Sequence, residues 1–226
     1  KMEYSDITFA PGVRVDMFQS NANKITNVYQ PITTNAKGVA TGGLTATSTQ
    51  MQVSPRIAVT YAVTDQTTFN FGYNWYFKQP SLNDVLTNTA GGDPNALRLA
   101  LIRGNQIIGN GGLSAQRTHE VNVGFNTQLS DVFMFAINGV YKDIRNSSGL
   151  QAISSPLLPV GYQIYSDDQY GNDRSIEIIA EKRMSDNYSA KFTYTYQVAK
   201  GTSSSATENY SALINADPNS EQAVLP

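Results

Sequence analysis

The sequence predicts an all-β protein, in which about seven or eight long antiparallel strands, connected up and down, form a segment of a transmembrane β-barrel. Apolar and polar residues alternate through most of the chain, as expected where successive side chains point to opposite sheet faces. The alternating segments are about twice as long as the ~5–6 residues of an average strand, and they match the ~9–11 residues of a membrane-spanning strand. Tight turns also alternate with long polar connections, which is typical of outer-membrane barrels.

The composition excludes several other classes of protein. Only 15% of the 226 residues are charged, against ~25% in ordinary soluble domains. No run of ten apolar residues occurs, so a helical membrane protein is excluded. The net charge of −2 comes without a basic stripe, so no nucleic-acid partner is expected. Cysteine is absent and His119 is the single histidine, so thiolate and multi-histidine metal sites are excluded and no cofactor is predicted.

The first three strands are predicted at 7–18, 56–63 and 67–78. The alternation is loosest in 7–18 and clearest in 67–78, with the sequence TTFNFGYNWYFK. A turn at 64–66 joins the second and third strands. Its Thr and Asp side chains favour a turn because they can hydrogen-bond their own backbone.

The last four strands are predicted at 120–129, 132–142, 175–184 and 188–199. Turns at 130–131 and 185–187, rich in Ser, Asp and Asn, join them in pairs. The long polar segments, which we expect outside the cell, are 20–50, 79–116 and 145–161. Loops beyond ~12–15 residues are uncommon in compact domains unless they are functional. A short helix is predicted at 95–103, inside the second of these loops.

The two faces of the predicted sheet differ in chemistry. The face predicted to meet lipid is aromatic and includes Phe69, Phe71, Tyr73, Trp75, Phe125, Phe133, Phe135, Phe192, Tyr194 and Tyr196. The face predicted to line the lumen is polar and includes Arg56, Asn70, Asn74, Glu120, Asn122, Glu177, Glu181, Arg183 and Lys191. A soluble β-sandwich is the alternative, but so many rings would pack poorly between sheets ~10 Å apart. The charged exceptions, Lys182 and Asp143, lie at strand ends, where charge on the lipid face costs least.

The strand count leads to a further expectation. Seven strands cannot close a single-chain bacterial barrel, which has an even number. The residues at 219–226 lie in what should be a long loop, and the chain starts without a signal-like segment. We therefore expect a fragment of a larger barrel, with residues 1–226 belonging to one β-barrel domain; the alternative is an eighth strand, near 158–166.

Several short motifs, taken in order, resemble the barrel of TonB-dependent outer-membrane receptors. The segments that carry the resemblance are SPRIA at 54–58, FKQPSLND at 77–84, GN at 109–110 followed by QRTHEVNVGF at 116–125, YKDIRN at 141–146, and YGNDRSIE at 170–177. Ser175 stands where the family usually has glycine. Together these motifs cover about residues 50–202.

The resemblance implies a receptor of the outer membrane of a Gram-negative bacterium that takes up a scarce or bulky solute. It implies as partners the lipid bilayer, the remaining barrel strands, an N-terminal plug and the TonB complex. Neither plug nor TonB box is found in this sequence, so the fragment alone should have no complete transport activity. The long loops would help to capture an extracellular solute of unknown identity.

Some residues invite other interpretations. His119 could be a ligand, but a polar ring at the membrane interface is the simpler assignment. Glu177 and Glu181 could form a paired-carboxylate site, although lumen charges pairing with neighbouring strands or a plug fit better. Asp167 and Asp168 lack the regular acidic spacing of a calcium loop. An enzyme is therefore not expected, and the rival class is a secreted all-β binding module or adhesin.

Overall fold

The computed structural model describes residues 1–88, 93–103, 107–154, 156 and 161–202. The strands and helices, in chain order, are β1 (Met2–Tyr4), β2 (Ile7–Phe18), β3 (Asn23–Ile25), β4 (Thr33–Thr34), β5 (Ala40–Gly42), β6 (Leu44–Ala46), β7 (Gln50–Thr64), β8 (Thr67–Lys78), α1 (Leu82–Leu86), α2 (Pro94–Ile102), β9 (Ile107–Ile108), β10 (Gln116–Gln128), β11 (Phe133–Ile153), β12 (Tyr162–Ser185) and β13 (Tyr188–Gly201). Nine of these strands form one sheet. Eight follow an antiparallel path in the order β1-β2-β7-β8-β10-β11-β12-β13, and β9 pairs in parallel with β12 off this path. The prediction of an all-β, up-and-down architecture is confirmed.

All seven predicted strands are present, and 7–18 and 67–78 have the predicted bounds. The eighth strand of the path is β1, which pairs with β2 across a turn at Ser5, whose φ is 51°. It is not the segment 158–166: residues 162–166 begin β12, and 157–160 lie outside the described residues. Within the described chain, β1 and β13 are the ends of an open path.

The loop predicted at 145–161 is wrong over most of its length. The strand β11 continues into this segment as far as Ile153, which pairs with Tyr162 at the start of β12, so the two strands form a long hairpin. The register shifts twice between Ile144 and Gly149, and Asn146 has a φ of 57°. A β-bulge of this kind inserts an extra residue and moves the following side chains to the other face. The alternation is interrupted there, and the sequence pattern gave no sign that the strand continues.

The tight turn between β12 and β13 has the backbone conformation that its Asp and Asn residues favour. Asp186 and Asn187, between β12 and β13, have φ values of 50° and 69°. Two successive residues with positive φ match a type I′ hairpin turn, and Asp and Asn tolerate that conformation best among non-glycine residues. The long connections at 20–50 and 79–116 hold the short elements, with β3 paired to β6 and β4 to β5. The helix predicted at 95–103 is α2, which begins after the N-cap Asp93.

The strand register places like residues in continuous rows across the sheet. One row is apolar over seven strands and joins Ile7, Tyr61, Phe69, Phe125, Ile137, Ile178 and Tyr194. The adjacent row is polar apart from a glycine and joins Thr8, Thr60, Asn70, Gly124, Asn138, Glu177 and Thr195. Because successive residues of a strand point to opposite faces, these rows define an aromatic face and a polar face.

The buried apolar residues lie among the connections rather than on the main aromatic face. One cluster joins Ile25 and the helix residues Leu97 and Leu101 to Ile153 and Tyr162 at the far end of the β11–β12 hairpin. A second cluster contains Val85, Leu113 and Tyr165. Together these segments form an assembly that we call the loop cap. It comprises the end of the β11–β12 hairpin and residues 20–50, 79–88, 93–103 and 107–115. Among the described residues, no helix has the length and apolar character needed to span a bilayer.

Candidate functional site: the polar face and the loop cap

A row of charged and amide side chains crosses the polar face close to the loop cap. Its members, on five neighbouring strands of the path, are Arg56, Asn74, Glu120, Lys142 and Asp173. The Nζ atom of Lys142 lies 3.6 Å from Glu120 Oε2. The Tyr76 hydroxyl and the Asn122 amide donate hydrogen bonds to Glu120 Oε1, of 3.2 and 3.3 Å. Glu120 is thus the centre of a network that spans three strands, and we call this set the charged row.

Three polar atoms at the β2–β7 end of this face are buried without a hydrogen-bond partner among the described residues. They are Asp16 Oδ2, Ser54 Oγ and Arg56 Nε. Arg14 Nη2 lies 2.6 Å from Asp16 Oδ1, so one oxygen of that carboxylate is already paired. The Arg56 guanidinium lies 5.3 Å from the centre of the Tyr76 ring. Because buried polar groups are usually satisfied, this corner is suited to accept a polar partner from outside the described residues.

The residues predicted to line the lumen all share the polar face. Cross-strand register places eight of them there, and Arg183 lines a shallow groove with Thr68 and Asn126 at the turn end. They do not form one catalytic cluster. Glu177 Oε2 accepts from Asn138 Nδ2 at 3.5 Å, whereas Glu181 is the cross-strand partner of Lys191. Tyr76 and Asp16 also belong to this site; their parity matches that of the polar residues, but no other feature of the sequence marks them.

The ten residues predicted to face lipid lie together on the opposite face. No second sheet or helix packs over this face within the described residues. Phe192 is 61% exposed and Tyr194 52% exposed. The two-layer interior of the alternative soluble sandwich is therefore not seen in the part of the chain that the structure describes.

His119 also lies on the aromatic face, at its loop end. Its ring stacks on that of the cross-strand partner Trp75, with centroids 4.3 Å apart and planes 22° apart. Tyr73 contacts the same indole edge-on, at 6.4 Å. In the described residues no three His, Cys, Asp or Glu side chains gather as a metal site would require. His119 thus extends an aromatic cluster, and the structure gives it no companion ligands.

Lys182 is the charged residue on the aromatic face at the turn end. Its Nζ atom donates to the carbonyl oxygens of Ser185 and Tyr188, at 2.9 and 3.2 Å, and lies 3.7 Å from the centre of the Tyr188 ring. The side chain is buried. The turn itself therefore compensates this charge, which explains why a lysine is tolerated there.

We expect Lys182→Met to destabilise the β12–β13 hairpin by about 1–3 kcal/mol, because it leaves the turn carbonyls without their donor. The measurement is the urea midpoint of the protein folded into lipid vesicles. Lys191→Met is the matched control, since Lys191 is exposed on the next strand and makes no ion pair within the described structure. Equal midpoints for the two variants would contradict the role given to Lys182.

The loop cap is tied to β12 by specific hydrogen bonds. The Tyr162 hydroxyl donates to the Val28 carbonyl at 2.6 Å, and Asn110 Nδ2 donates to the Tyr165 carbonyl at 2.9 Å. The backbone N–H of Ser114 donates to Asp167 Oδ2 at 3.0 Å. Burial raises the pKa of the Tyr162 phenol, so this hydroxyl stays protonated and able to donate to a higher pH than an ordinary tyrosine does. These hydrogen bonds thus hold the described parts of the cap against the Tyr162–Asp167 end of β12.

Comparison with known proteins identifies relatives of this architecture. The family model described as TonB dependent receptor-like, beta-barrel, matches residues 1–220. Among curated proteins, none matches this sequence. Solved structures do match. An FrpB iron transporter from Neisseria meningitidis (F3-3 variant) has a TM-score of 0.56 at 17% identity, covering 88% of this chain and 24% of its own.

Two further structures have similar scores. The copper transporter OprC has a TM-score of 0.52 at 14% identity, over 88% of this chain and 27% of its own. The hemophore receptor HasR of Serratia marcescens, solved as a double mutant with its hemophore HasA and heme, has a TM-score of 0.51 at 16% identity, over 85% of this chain and 30% of its own. At such identities the likeness supports the fold. The chain spans about a quarter to a third of the length of these structures.

Proposed function

The chain belongs to the TonB-dependent receptor family, and on that premise we propose that it forms an arc of a transport barrel whose aromatic face meets lipid and whose polar face meets the lumen. The family places it in the outer membrane of a Gram-negative bacterium. Receptors of this family are transporters rather than enzymes. Residues 1–226 would then belong to one β-barrel domain, completed by further strands and by a plug elsewhere in the protein.

The height of the apolar band is the observation that carries the proposal. Along β11 the band runs from Phe133 to Tyr141, with Phe135 and Ile137 between them. At about 3.4 Å per residue this is roughly 27 Å along the strand, or about 20 Å along the membrane normal at the usual tilt. An outer-membrane barrel carries an outward apolar band about 25 Å tall. The band therefore suits a bilayer, and Asp143 and Arg145, which follow it with the same parity on β11, suit the interface.

The solute would be captured at the loop cap and the charged row. The related structures are an iron transporter, a copper transporter and a hemophore receptor, which supports a scarce or bulky solute as cargo. The unsatisfied atoms of Asp16, Ser54 and Arg56 are available to a plug residue or to the solute. Energy for uptake would come from the TonB complex, which would contact parts of the protein other than this arc of barrel strands.

The orientation of the two faces can be tested by spin labelling of the full-length protein in lipid vesicles. Single cysteines introduced at successive positions from 189 to 199 of β13 would carry the label. We expect accessibility to oxygen, which concentrates in lipid, to peak at even positions such as Tyr194→Cys and to fall at odd positions such as Thr193→Cys. Uniform accessibility, or a protein stable in plain buffer without detergent, would instead favour a secreted binding module.

The transport role is tested in cells of the source bacterium that lack the full-length gene. Uptake of ferric chelates, haem and copper complexes would be measured with and without the gene. We expect uptake of at least one of these solutes to fall, and to be restored by the intact gene. Unchanged uptake of all three would argue against metal or haem cargo and point to another bulky solute.

A further inference from the structure

The aromatic face has a groove at the position of a single glycine. One row on this face joins Phe9, Val59, Phe71, Val123, Gly139, Ile176 and Tyr196. Gly139 contributes no side chain, and a groove of about 470 Å³ opens around it. Its apolar walls include Val121, Val123, Ile176, Tyr196 and Val198. The row is therefore interrupted by a space that an apolar chain can fill.

Cations line the end of this groove that is nearer the loop cap. Arg174 and Lys200 both contribute to the lining. The Arg174 guanidinium lies 5.5 Å from the centre of the Tyr141 ring, and no ion pair engages Arg174 or Lys200 within the described residues. Farther toward the cap, Arg145 and Arg117 are cross-strand partners.

Among the described residues, the carboxylate found on this part of the face is already paired. Asp143 lies beside Arg145, with Arg145 Nε 3.0 Å from Asp143 Oδ2. The groove end thus carries two cations, Arg174 and Lys200, with no acidic group to neutralise them among the described residues. An apolar groove with a cationic end matches one kind of molecule, an anionic headgroup attached to acyl chains.

We propose that this groove binds a phosphorylated glycolipid of the outer leaflet, with an acyl chain over Gly139 and a phosphate between Arg174 and Lys200. The proposal rests on the proposed function, because it requires the aromatic face to lie in the membrane and the loop cap to lie outside the cell. With that orientation, the groove end is at the height of the outer-leaflet headgroups.

The two cations differ in how they would hold a phosphate. The planar guanidinium of Arg174 presents several donors that can bind two phosphate oxygens at once, and its position over the Tyr141 ring limits its orientations. Lys200 offers a mobile point charge. The combination of these two cations with an apolar groove is what distinguishes this site.

The test is the affinity of the full-length protein, in detergent micelles, for diphosphorylated lipid A measured by native mass spectrometry. We expect Arg174→Gln combined with Lys200→Gln to weaken binding at least tenfold. The matched control is Arg103→Gln combined with Lys37→Gln, which removes one Arg and one Lys that are exposed in the loop cap. This control should leave the affinity unchanged.

A third variant tests the acyl chain independently of charge. A Cβ atom added at Gly139 would meet only the Val123 carbonyl oxygen, at 3.9 Å, so Gly139→Leu should fold and fill the groove. We expect it to weaken lipid A binding at least fivefold. Dephosphorylated lipid A should bind the original protein about as weakly as lipid A binds the Arg174/Lys200 double variant.

The outcomes separate this inference from the proposed function. If spin-label accessibility alternates along β13 but the double variant binds lipid A as tightly as the control, the glycolipid site is wrong and the barrel assignment stands. Equal affinity for lipid A with and without its phosphates would also overturn the site. Uniform accessibility together with water solubility would overturn both.

Discussion

Truncating Leu97 to alanine should open the loop cap while leaving the main sheet intact. Leu97 lies on α2, is fully buried, and packs in a cluster with Ile25, Ile153, Tyr162 and Ile164. A buried Leu→Ala change costs about 2–5 kcal/mol, because it loses the transfer free energy of the removed atoms and leaves a cavity. The elements in contact come from three separate parts of the chain. The lost packing free energy should therefore appear as local opening of all three of these chain segments.

Hydrogen exchange of the full-length protein in micelles measures this effect. Amides of α2 and of the hairpin end near Ile153 should exchange faster in Leu97→Ala, whereas those of β8 and β10 should be unchanged. Leu99→Ala is the matched control on the same helix, since Leu99 is 53% exposed. Uniform acceleration across the sheet would contradict a separately packed cap. Unchanged exchange would contradict the buried position of Leu97.

Those parts of the fold that depend on local pattern were predictable from the sequence. The bounds of β8 match the predicted ones because strict alternation and flanking turn residues coincide there, and the bounds of β2 match although its alternation is the loosest. The prediction failed at the β-bulge near Asn146, where β11 continues beyond its predicted end. An inserted residue reverses the parity, so the continuing strands beyond it resembled a loop at 145–161.

The site was predictable in part. Parity alone assigned Arg56, Glu120 and Lys191 to one face, because register preserves parity across the sheet. Parity does not reveal the register between neighbouring strands, and the register decides which side chains touch. The contact of Tyr76 with Glu120 could therefore not be predicted. The loop cap depends on contacts between residues far apart in sequence, such as Tyr162 with Val28. A single sequence carries no periodic signal for such pairs.

The centre of the aromatic face should be the position at which an added charge is most destabilising. Tyr194 lies near the middle of β13 and is the last member of the apolar row that runs through Ile137 and Ile178. An arginine on the lipid face at the bilayer midplane costs about 2–4 kcal/mol. We therefore expect Tyr194→Arg to lower the free energy of unfolding by that amount. Urea unfolding of the full-length protein in lipid vesicles measures it, with the yield of folded protein in the outer membrane as a second readout.

Thr193→Arg is the control, because it introduces the same charge one residue away on the polar face. Thr193 is exposed and is the cross-strand partner of Ile179. If the polar face lines the lumen, as proposed, an arginine there keeps its hydration or pairs with Glu177 or Glu181 on the neighbouring strand. Its effect should then stay within about 0.5 kcal/mol, as for ordinary surface substitutions. If both variants lose the same free energy of unfolding, the effect of the arginine does not depend on which face of β13 carries it. That result would contradict an aromatic face that meets lipid. If Thr193→Arg alone is destabilising, the sheet is oriented the other way round.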